Sequence, residues 1–142
     1  MLRQDVAEDG PGSDPVSREV IGLAMRVQSA LGPGYLEKVY ENALMHELQK
    51  AGFNVEQQIP LHVWYDGIVV GEYIADLIVD TPERKLLLEL KAIPSMPPVL
   101  SAQVINYLTA TQIPVGLLIN FGAPRLQFKR LTAANLQPHR PV

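Results

Sequence analysis

The chain has 142 residues, of which 47% are hydrophobic and 19% charged, a composition typical of one globular domain with a sizeable core. It contains no cysteine, which excludes disulfide bonds and thiolate metal sites, and no apolar run of about 18 residues that could span a membrane. The formal net charge of −3 disfavours broad, charge-driven binding of nucleic acid but is compatible with a local basic groove. The first residues lack the apolar core of a secretory signal, and we expect a cytoplasmic protein.

Two helices are predicted after a tail. Residues 1–14 are acidic, rich in Gly, Asp and Ser and without periodicity, which predicts a disordered N-terminal tail before a single domain over residues 15–134. A first helix is predicted over residues 18–31, capped by Ser17 and stopped by the Gly-Pro-Gly sequence at 32–34. A second is predicted over residues 36–51, with Gly52 just past its end.

The start of the second helix carries a candidate acid. Glu37 and Tyr40 lie three residues apart and therefore share a side, while Leu36 and Val39 are expected to face the core with Tyr40. Two interpretations of Glu37 remain open: it complements the helix dipole in the first turn, or it contributes to a site.

Three strands are predicted next, as an antiparallel meander. Residues 59–65 alternate and are followed by Asp66-Gly67, a strong signal for a hairpin turn. Residues 74–79 and 86–90 are apolar on both faces, which is typical of strands covered on both sides, and the polar turn 81–84 joins them.

The register of the second hairpin brings charged residues together. If Asp80 pairs with Lys85, opposed residues have numbers that add up to 165, and Asp76 lies across from Glu89. Lys91 shares a face with Glu89, because side chains alternate along a strand. Two carboxylates and one ammonium group then converge on one spot of a mostly covered sheet, and a slip of one residue would separate them.

Such a cluster has two interpretations. Like charges at this distance repel, and burial adds to the free-energy cost of each carboxylate. A hard cation such as Mg²⁺ or Mn²⁺ removes both penalties, because it prefers carboxylate oxygens. The alternative is a partly solvated, ion-paired patch on the sheet surface.

A third helix and two more strands complete the predicted core. The helix covers residues 98–111 and places Gln103 and Tyr107 on one side, where they are either site residues or an exposed amide and a half-buried aromatic. Residues 115–121 form an uninterrupted apolar strand, which should be central and parallel to the strand before the helical crossover. Residues 126–130 alternate like an edge strand, and residues 135–142 are expected to form a C-terminal tail. The basic residues near this end favour a solvated edge over a binding surface.

Asp76, followed on the next strand by Glu89-Leu90-Lys91, resembles the split D…(D/E)-x-K signature of the PD-(D/E)XK nuclease superfamily. Gly34, Glu37 and Tyr40 match the pattern that names the GxxExxY proteins, a branch of that superfamily. The order of the remaining segments is also similar, over about residues 16–131.

The resemblance implies an α/β, restriction-endonuclease-like core: a mixed β-sheet, made of an antiparallel meander and a strand after a helical crossover, flanked by α-helices. It implies a hydrolase, a metal-dependent nuclease acting on DNA in preference to RNA. Asp76, Glu89 and Glu37 would be catalytic metal ligands for Mg²⁺ or Mn²⁺, and Lys91 would stabilise charge on the phosphate. Gln103 and Tyr107 would position substrate or water, and Tyr40 and Gly34 would support the helix-borne acid.

A second hypothesis belongs to another class of protein. The same fold could serve as a non-catalytic binding or assembly module, either as a homo-oligomer or as a subunit of a larger DNA repair or defence complex. The apolar content and the acidic balance suit such a role.

Overall fold

A computed structural model describes residues 14–133 of the chain. The predicted tails lie outside these residues, except for Asp14. The elements follow in this order: α1 (Pro15–Leu31), α2 (Glu37–Lys50), β1 (Asn54–Tyr65), β2 (Ile68–Asp80), β3 (Lys85–Lys91), α3 (Val99–Thr111), β4 (Val115–Asn120) and β5 (Gln127–Thr132).

The strands form one five-stranded mixed sheet in the order β1-β2-β3-β4-β5. β1, β2 and β3 make the predicted antiparallel meander, β4 runs parallel to β3 after the α3 crossover, and β5 returns antiparallel at the edge. Every residue of β4 is buried, as expected for an apolar strand with neighbours on both sides. The predicted fold class, a restriction-endonuclease-like α/β core, is confirmed.

Helices cover the sheet on both faces, and the sheet separates the hydrophobic core into two parts. On one face α1 and α2 pack on residues that include Leu77, Leu88 and Ile119. On the other face α3 packs on residues that include Ala75, Leu87 and Leu118. Within residues 14–133, no helix is long and apolar enough to cross a membrane.

The cap of α1 differs from the predicted one. The helix begins three residues earlier than expected, and Asp14 rather than Ser17 is its N-cap, with the Asp14 carboxylate accepting the Ser17 amide at 2.7 Å. Pro15 fits the first helical position, where no backbone donor is needed. Ser17 is buried and donates its hydroxyl to Asp14 instead.

The buried side of α2 is also rotated from the predicted one. Leu36 and Val39 are 79% and 38% exposed, so the expectation that they face the core is wrong. The buried positions are Tyr40, Glu41, Leu44 and Leu48. A carboxylate therefore occupies a place in a stripe that is otherwise apolar or aromatic.

The predicted end of α2 at Gly52 and the predicted β1–β2 turn at Asp66-Gly67 are both confirmed. Gly52 follows the C-cap of α2 with φ 94°. Asp66 and Gly67 have φ values of 55° and 75°, the pattern of the type I′ turn that suits a two-residue hairpin.

Candidate functional site

The register of the β2–β3 hairpin is the predicted one, but its ladder ends before the acids. Pairs from Asp80 and Lys85 to Leu77 and Leu88 follow the expected numbers, and Asp76 and Glu89 do not continue the ladder. The Asp76 carboxylate instead accepts the backbone amide of Leu90 at 2.8 Å. A side chain thus satisfies a backbone donor at the point where the two strands separate.

Asp76 is held from two sides. Its Oδ2 atom accepts from Leu90, and its Oδ1 atom accepts from the Gln58 amide at 3.4 Å. Burial raises the pKa of the Asp76 carboxyl, the Leu90 amide lowers it, and the nearby charge of Glu41 raises it again. The net effect is a raised pKa, because desolvation penalises the charged form.

Glu89 and Lys91 share the sheet face that α3 covers. The Lys91 Nζ atom lies 3.5 Å from Glu89 Oε2, and both side chains are largely buried. Glu89 Oε1 accepts a hydrogen bond from the Tyr73 hydroxyl, and the Tyr73 ring stacks on Tyr107 with centroids 3.8 Å apart. Burial raises the pKa of Glu89, and the charge of Asp76 raises it further, although the bonds from Tyr73 and Lys91 oppose the shift.

A small hollow lies between these residues and α3. It measures about 20 Å³, enough for about one water molecule. Gln103 and Tyr107 line it from α3, so the structure brings both predicted residues to the face that carries Glu89 and Lys91. Tyr73 lines it from β2.

Glu37 approaches the same charges from the start of α2. Partial burial of its carboxylate raises its pKa, and the charge of Asp76 raises it further, while Lys91 lowers it. These interactions place Glu37 within electrostatic range of Asp76 and Lys91. Its side chain is nevertheless more exposed than those of Asp76 and Glu89.

Tyr40 and Gly34 shape the loop from which α2 begins. The buried Tyr40 hydroxyl donates to the Gly32 carbonyl and accepts the Tyr35 amide at 3.2 Å. Its ring stacks on Phe121, just after β4, with centroids 4.9 Å apart. Gly34 has φ 116°, which L side chains rarely adopt. The loop is therefore fixed beside the C-terminal end of the central strand β4.

The polar residues that the sequence analysis missed are Glu41, Gln58, Tyr73 and Asn120. Glu41 is 1% exposed and accepts from Lys38, Gln57 and Gln58. Its spacing from Glu37 was a usable signal, because residues four apart share a helix side. Tyr73 was recognisable as an aromatic residue on the strand that carries Asp76. No sequence pattern marked Gln58.

Asn120 fastens the segment that follows Lys91. Its side chain is fully buried, accepts the amides of Ile93 and Gly122 at 3.0 Å, and donates to the Ile93 carbonyl and the Gln127 side chain. A Cβ atom on Gly122 would lie 2.3 Å from the Ile93 nitrogen. Only glycine leaves room for this approach of the two segments.

The donor set fits a hard cation of the kind that keeps its own waters. Among residues 14–133, no group of three or more His, Cys, Asp or Glu side chains is arranged to hold a metal ion. Mg²⁺, however, is commonly bound by one or two carboxylates, with water or substrate phosphate completing its shell. Asp76 and Glu89 offer two such carboxylates. Because burial raises the free energy of their charged forms, a bound cation would offset this cost.

Comparison with known proteins agrees with the architecture. The family model of the PD-(D/E)XK nuclease superfamily matches residues 14–131. The crystal structure of SSO0001 is similar with a TM-score of 0.54 at 20% sequence identity, over 92% of this chain and 61% of that one. The chain thus spans less than two thirds of that protein, and the likeness concerns the fold alone. No curated protein matches the sequence.

Proposed function

Because the chain belongs to the PD-(D/E)XK nuclease superfamily, we propose that it is a metal-dependent nuclease that hydrolyses phosphodiester bonds, in DNA rather than RNA. The observation that carries this proposal is the meeting of Asp76, Glu89 and Lys91 where β2 and β3 separate. The pKa values of both carboxyls are raised by burial and by neighbouring negative charge, so a cation bound between them would remove an unfavourable interaction.

Asp76 and Glu89 would hold Mg²⁺ or Mn²⁺, with Glu37 as a further acid at the rim. When bound, such an ion neutralises phosphate charge and acidifies a water molecule. No third carboxylate is arranged for direct binding among residues 14–133, so water and phosphate oxygens would complete the shell.

The other side chains have separate tasks in this proposal. Lys91 stabilises the negative charge that develops on the phosphate, since its ammonium group lies beside the acids. Gln103 and Tyr107 position substrate or water from α3, which supplies one wall of the hollow. Tyr40 and Gly34 fix the loop that presents Glu37.

The test is nicking of supercoiled plasmid DNA with Mg²⁺ or Mn²⁺, with EDTA as the metal-free control. Glu89→Ala and Lys91→Ala should each lower the rate by about 10²–10³-fold, as expected when a group that stabilises transition-state charge is removed. Lys85→Ala is the matched control, because Lys85 lies at the other end of β3 and is half exposed. Circular dichroism checks that each variant is folded.

Cleavage at the wild-type rate by folded Glu89→Ala or Lys91→Ala would refute the assigned roles. Thermal melting with Mn²⁺ gives an independent result: the ion should raise the melting temperature of the wild type but not of Asp76→Ala. A wild-type protein that is indifferent to metal and leaves plasmid intact would refute the nuclease function.

One observation favours the second candidate, an assembly module. Five large apolar side chains at the end of the β1–β2 hairpin are 44–72% exposed, namely Trp64, Tyr65, Ile68, Val69 and Val70. Exposed apolar patches of this kind mark interaction sites. β1 is also an edge strand, and a second copy could pair with it around a twofold axis.

Analytical ultracentrifugation tests this candidate. We expect the wild type to dimerise with rising concentration and Val70→Lys to weaken dimerisation by about tenfold or more, because an ammonium group would be buried at the contact. Val99→Lys is the control, since Val99 is equally exposed but lies on α3. A monomer at all concentrations would refute homo-oligomerisation.

A further inference from the structure

Gln58 has a strained backbone inside a strand. Its φ is 56°, and for a residue other than glycine this conformation is costly and persists only where its surroundings require it. Gln58 is neither at a turn nor at the end of β1, which covers Asn54–Tyr65. The positive φ therefore comes neither from a turn nor from the end of the strand.

The strained residue lies at the level of Asp76. β1 pairs with β2 through Gln57 and Leu77 on one side and through Ile59 and Ala75 on the other, while Gln58 and Asp76 form no ladder pair. At the same level the sheet faces exchange: Ala75 packs under α3, but Leu77, two residues on, packs under α1 and α2. Regular alternation would keep both on one face. The irregularity lies at the residue whose carboxylate accepts from Leu90 and Gln58.

The Gln58 side chain bridges two acids. Its amide nitrogen lies 3.0 Å and 3.1 Å from the two carboxylate oxygens of Glu41 and 3.4 Å from Asp76 Oδ1. A primary amide has two N–H donors and no charge, so it can serve both carboxylates and reduce their repulsion. Glu41 is itself fixed, because Lys38 and Gln57 donate to it at 3.0 Å and 2.6 Å.

We infer that Gln58 is a positioning residue for Asp76, with the buried Glu41 as its anchor, and that the strained backbone is kept because it aims this amide at the cation-binding carboxylate. The inference rests on the proposed metal site. Leu90 fixes one oxygen of Asp76 and Gln58 the other, so the carboxylate is oriented before any ion arrives. Partners that orient a ligand in this way commonly change metal affinity by 10–100-fold.

Replacement by glycine separates this role from a structural one. Gln58→Gly removes the amide while accepting the positive φ without strain, so the metal-free protein should melt within a few degrees of the wild type. Mn²⁺ affinity, measured by isothermal titration calorimetry, should fall about tenfold or more. Gln112→Gly is the matched control: Gln112 has φ 63° at the end of α3, and its loss should leave the Mn²⁺ affinity unchanged.

Gln58→Asn provides a second variant, because asparagine also tolerates the left-handed region but is one methylene too short to reach both acids. It should weaken Mn²⁺ binding as Gln58→Gly does. A role confined to stability predicts the reverse, namely a lower melting temperature with wild-type affinity, and that result would overturn the inference while leaving the proposed function intact. A wild-type protein without Mn²⁺ binding would overturn both.

Discussion

At Asp76, burial and a neighbouring carboxylate work against the charge that a metal site needs. The pKa values of Asp76, Glu37 and Glu89 are all raised in the folded protein, so the folded state takes up protons at a higher pH than the unfolded chain. The metal-free protein should therefore become more stable as the pH falls from neutral through these raised values. The gain should level off near the unfolded pKa values of about 4.

Asp76→Asn should raise the melting temperature of the metal-free protein at pH 7 by a few degrees, because the amide can still accept from Leu90 without a buried charge. Differential scanning calorimetry between pH 5 and 8 measures the effect, which should shrink toward the acidic end. Glu56→Gln is the control, as Glu56 is exposed on β1. A lower melting temperature for Asp76→Asn in EDTA would contradict the expectation.

Gly122 shows a constraint of a different kind. Gly122→Ala should lower the free energy of unfolding by about 2–4 kcal/mol, because its Cβ would overlap the backbone of Ala92 and Ile93, which cannot move as a side chain end could. Gly22→Ala should instead stabilise by about 0.5–1 kcal/mol, since Gly22 lies in α1 with open space around it. Urea denaturation compares the two. If Gly122→Ala were as stable as the wild type, the close approach of Gly122 to the Ala92–Ile93 backbone would not be required for stability.

The sequence predicted the register of the β2–β3 hairpin that carries the candidate site, but not every side chain that holds the charged residues. A short polar turn fixes the register and predicts that Asp76 lies near Glu89 and Lys91, but it also predicts a direct Asp76–Glu89 pair, and the ladder ends one pair earlier, at Leu77 and Leu88. Gln58 could not be found in this way, because a left-handed glutamine within a strand has no local signal and depends on Glu41 across the fold. The exposure of Leu36 and Val39 could not be predicted for a similar reason. Contacts with the rest of the fold decide which side of α2 is buried, and the spacing of its apolar residues does not reveal them.

Helix α1 is joined to distant strands through one side chain. Asp14 caps the helix and accepts from Arg84, beside the β2–β3 turn, and from Arg130 on β5, at 2.6 Å and 2.8 Å. Burial raises the pKa of the Asp14 carboxyl, but the bonds from Ser17 and Arg130 outweigh it, and the pKa is lowered overall. Its contribution to stability is therefore present above about pH 4 and is lost as the pH falls through the lowered value.

Asp14→Ala should cost about 1–2 kcal/mol of stability at pH 7, because the cap and two ionic contacts are removed together. The loss should be smaller at pH 3, because the unfolded chain takes up a proton below the ordinary aspartate pKa of about 4 and the advantage of the folded state declines. Asp80→Ala is the control, since its pair with Lys85 is exposed and should contribute less than about 0.5 kcal/mol. Chemical denaturation at the two pH values measures both variants.

The elements themselves were largely predictable, and the exceptions lie at their ends. The Asp66-Gly67 turn, the central position of β4 and the parallel crossover all follow from turn chemistry and apolar patterning. The exchange of sheet faces at Asp76 does not, because strand periodicity assumes an unbroken pleat. The helix start at Asp14 was missed since Ser17 offered an equally suitable capping side chain.

For the whole molecule, charge should make nucleic-acid binding depend on metal. The chain has a formal net charge of −3, and the proposed site adds clustered carboxylates to a surface that would face phosphates. A short DNA duplex should therefore bind at least about tenfold more weakly in EDTA than in Ca²⁺, as measured by fluorescence anisotropy at fixed ionic strength. Equal affinity in the two buffers would show that phosphate contacts lie elsewhere.

The hydrogen bonds between Asn120 and Ile93 join two segments that are made at different times during synthesis. Asp76, Glu89 and Lys91 are synthesised before β4 (Val115–Asn120), and the bonds that Asn120 makes to Ile93 can form only after β4 has been made. A nascent polypeptide that ends before Val115 thus carries the acids and the amine without the strand that holds them in place. If the proposed nuclease function is correct, cleavage by a nascent chain should therefore begin only after β4 has been synthesised.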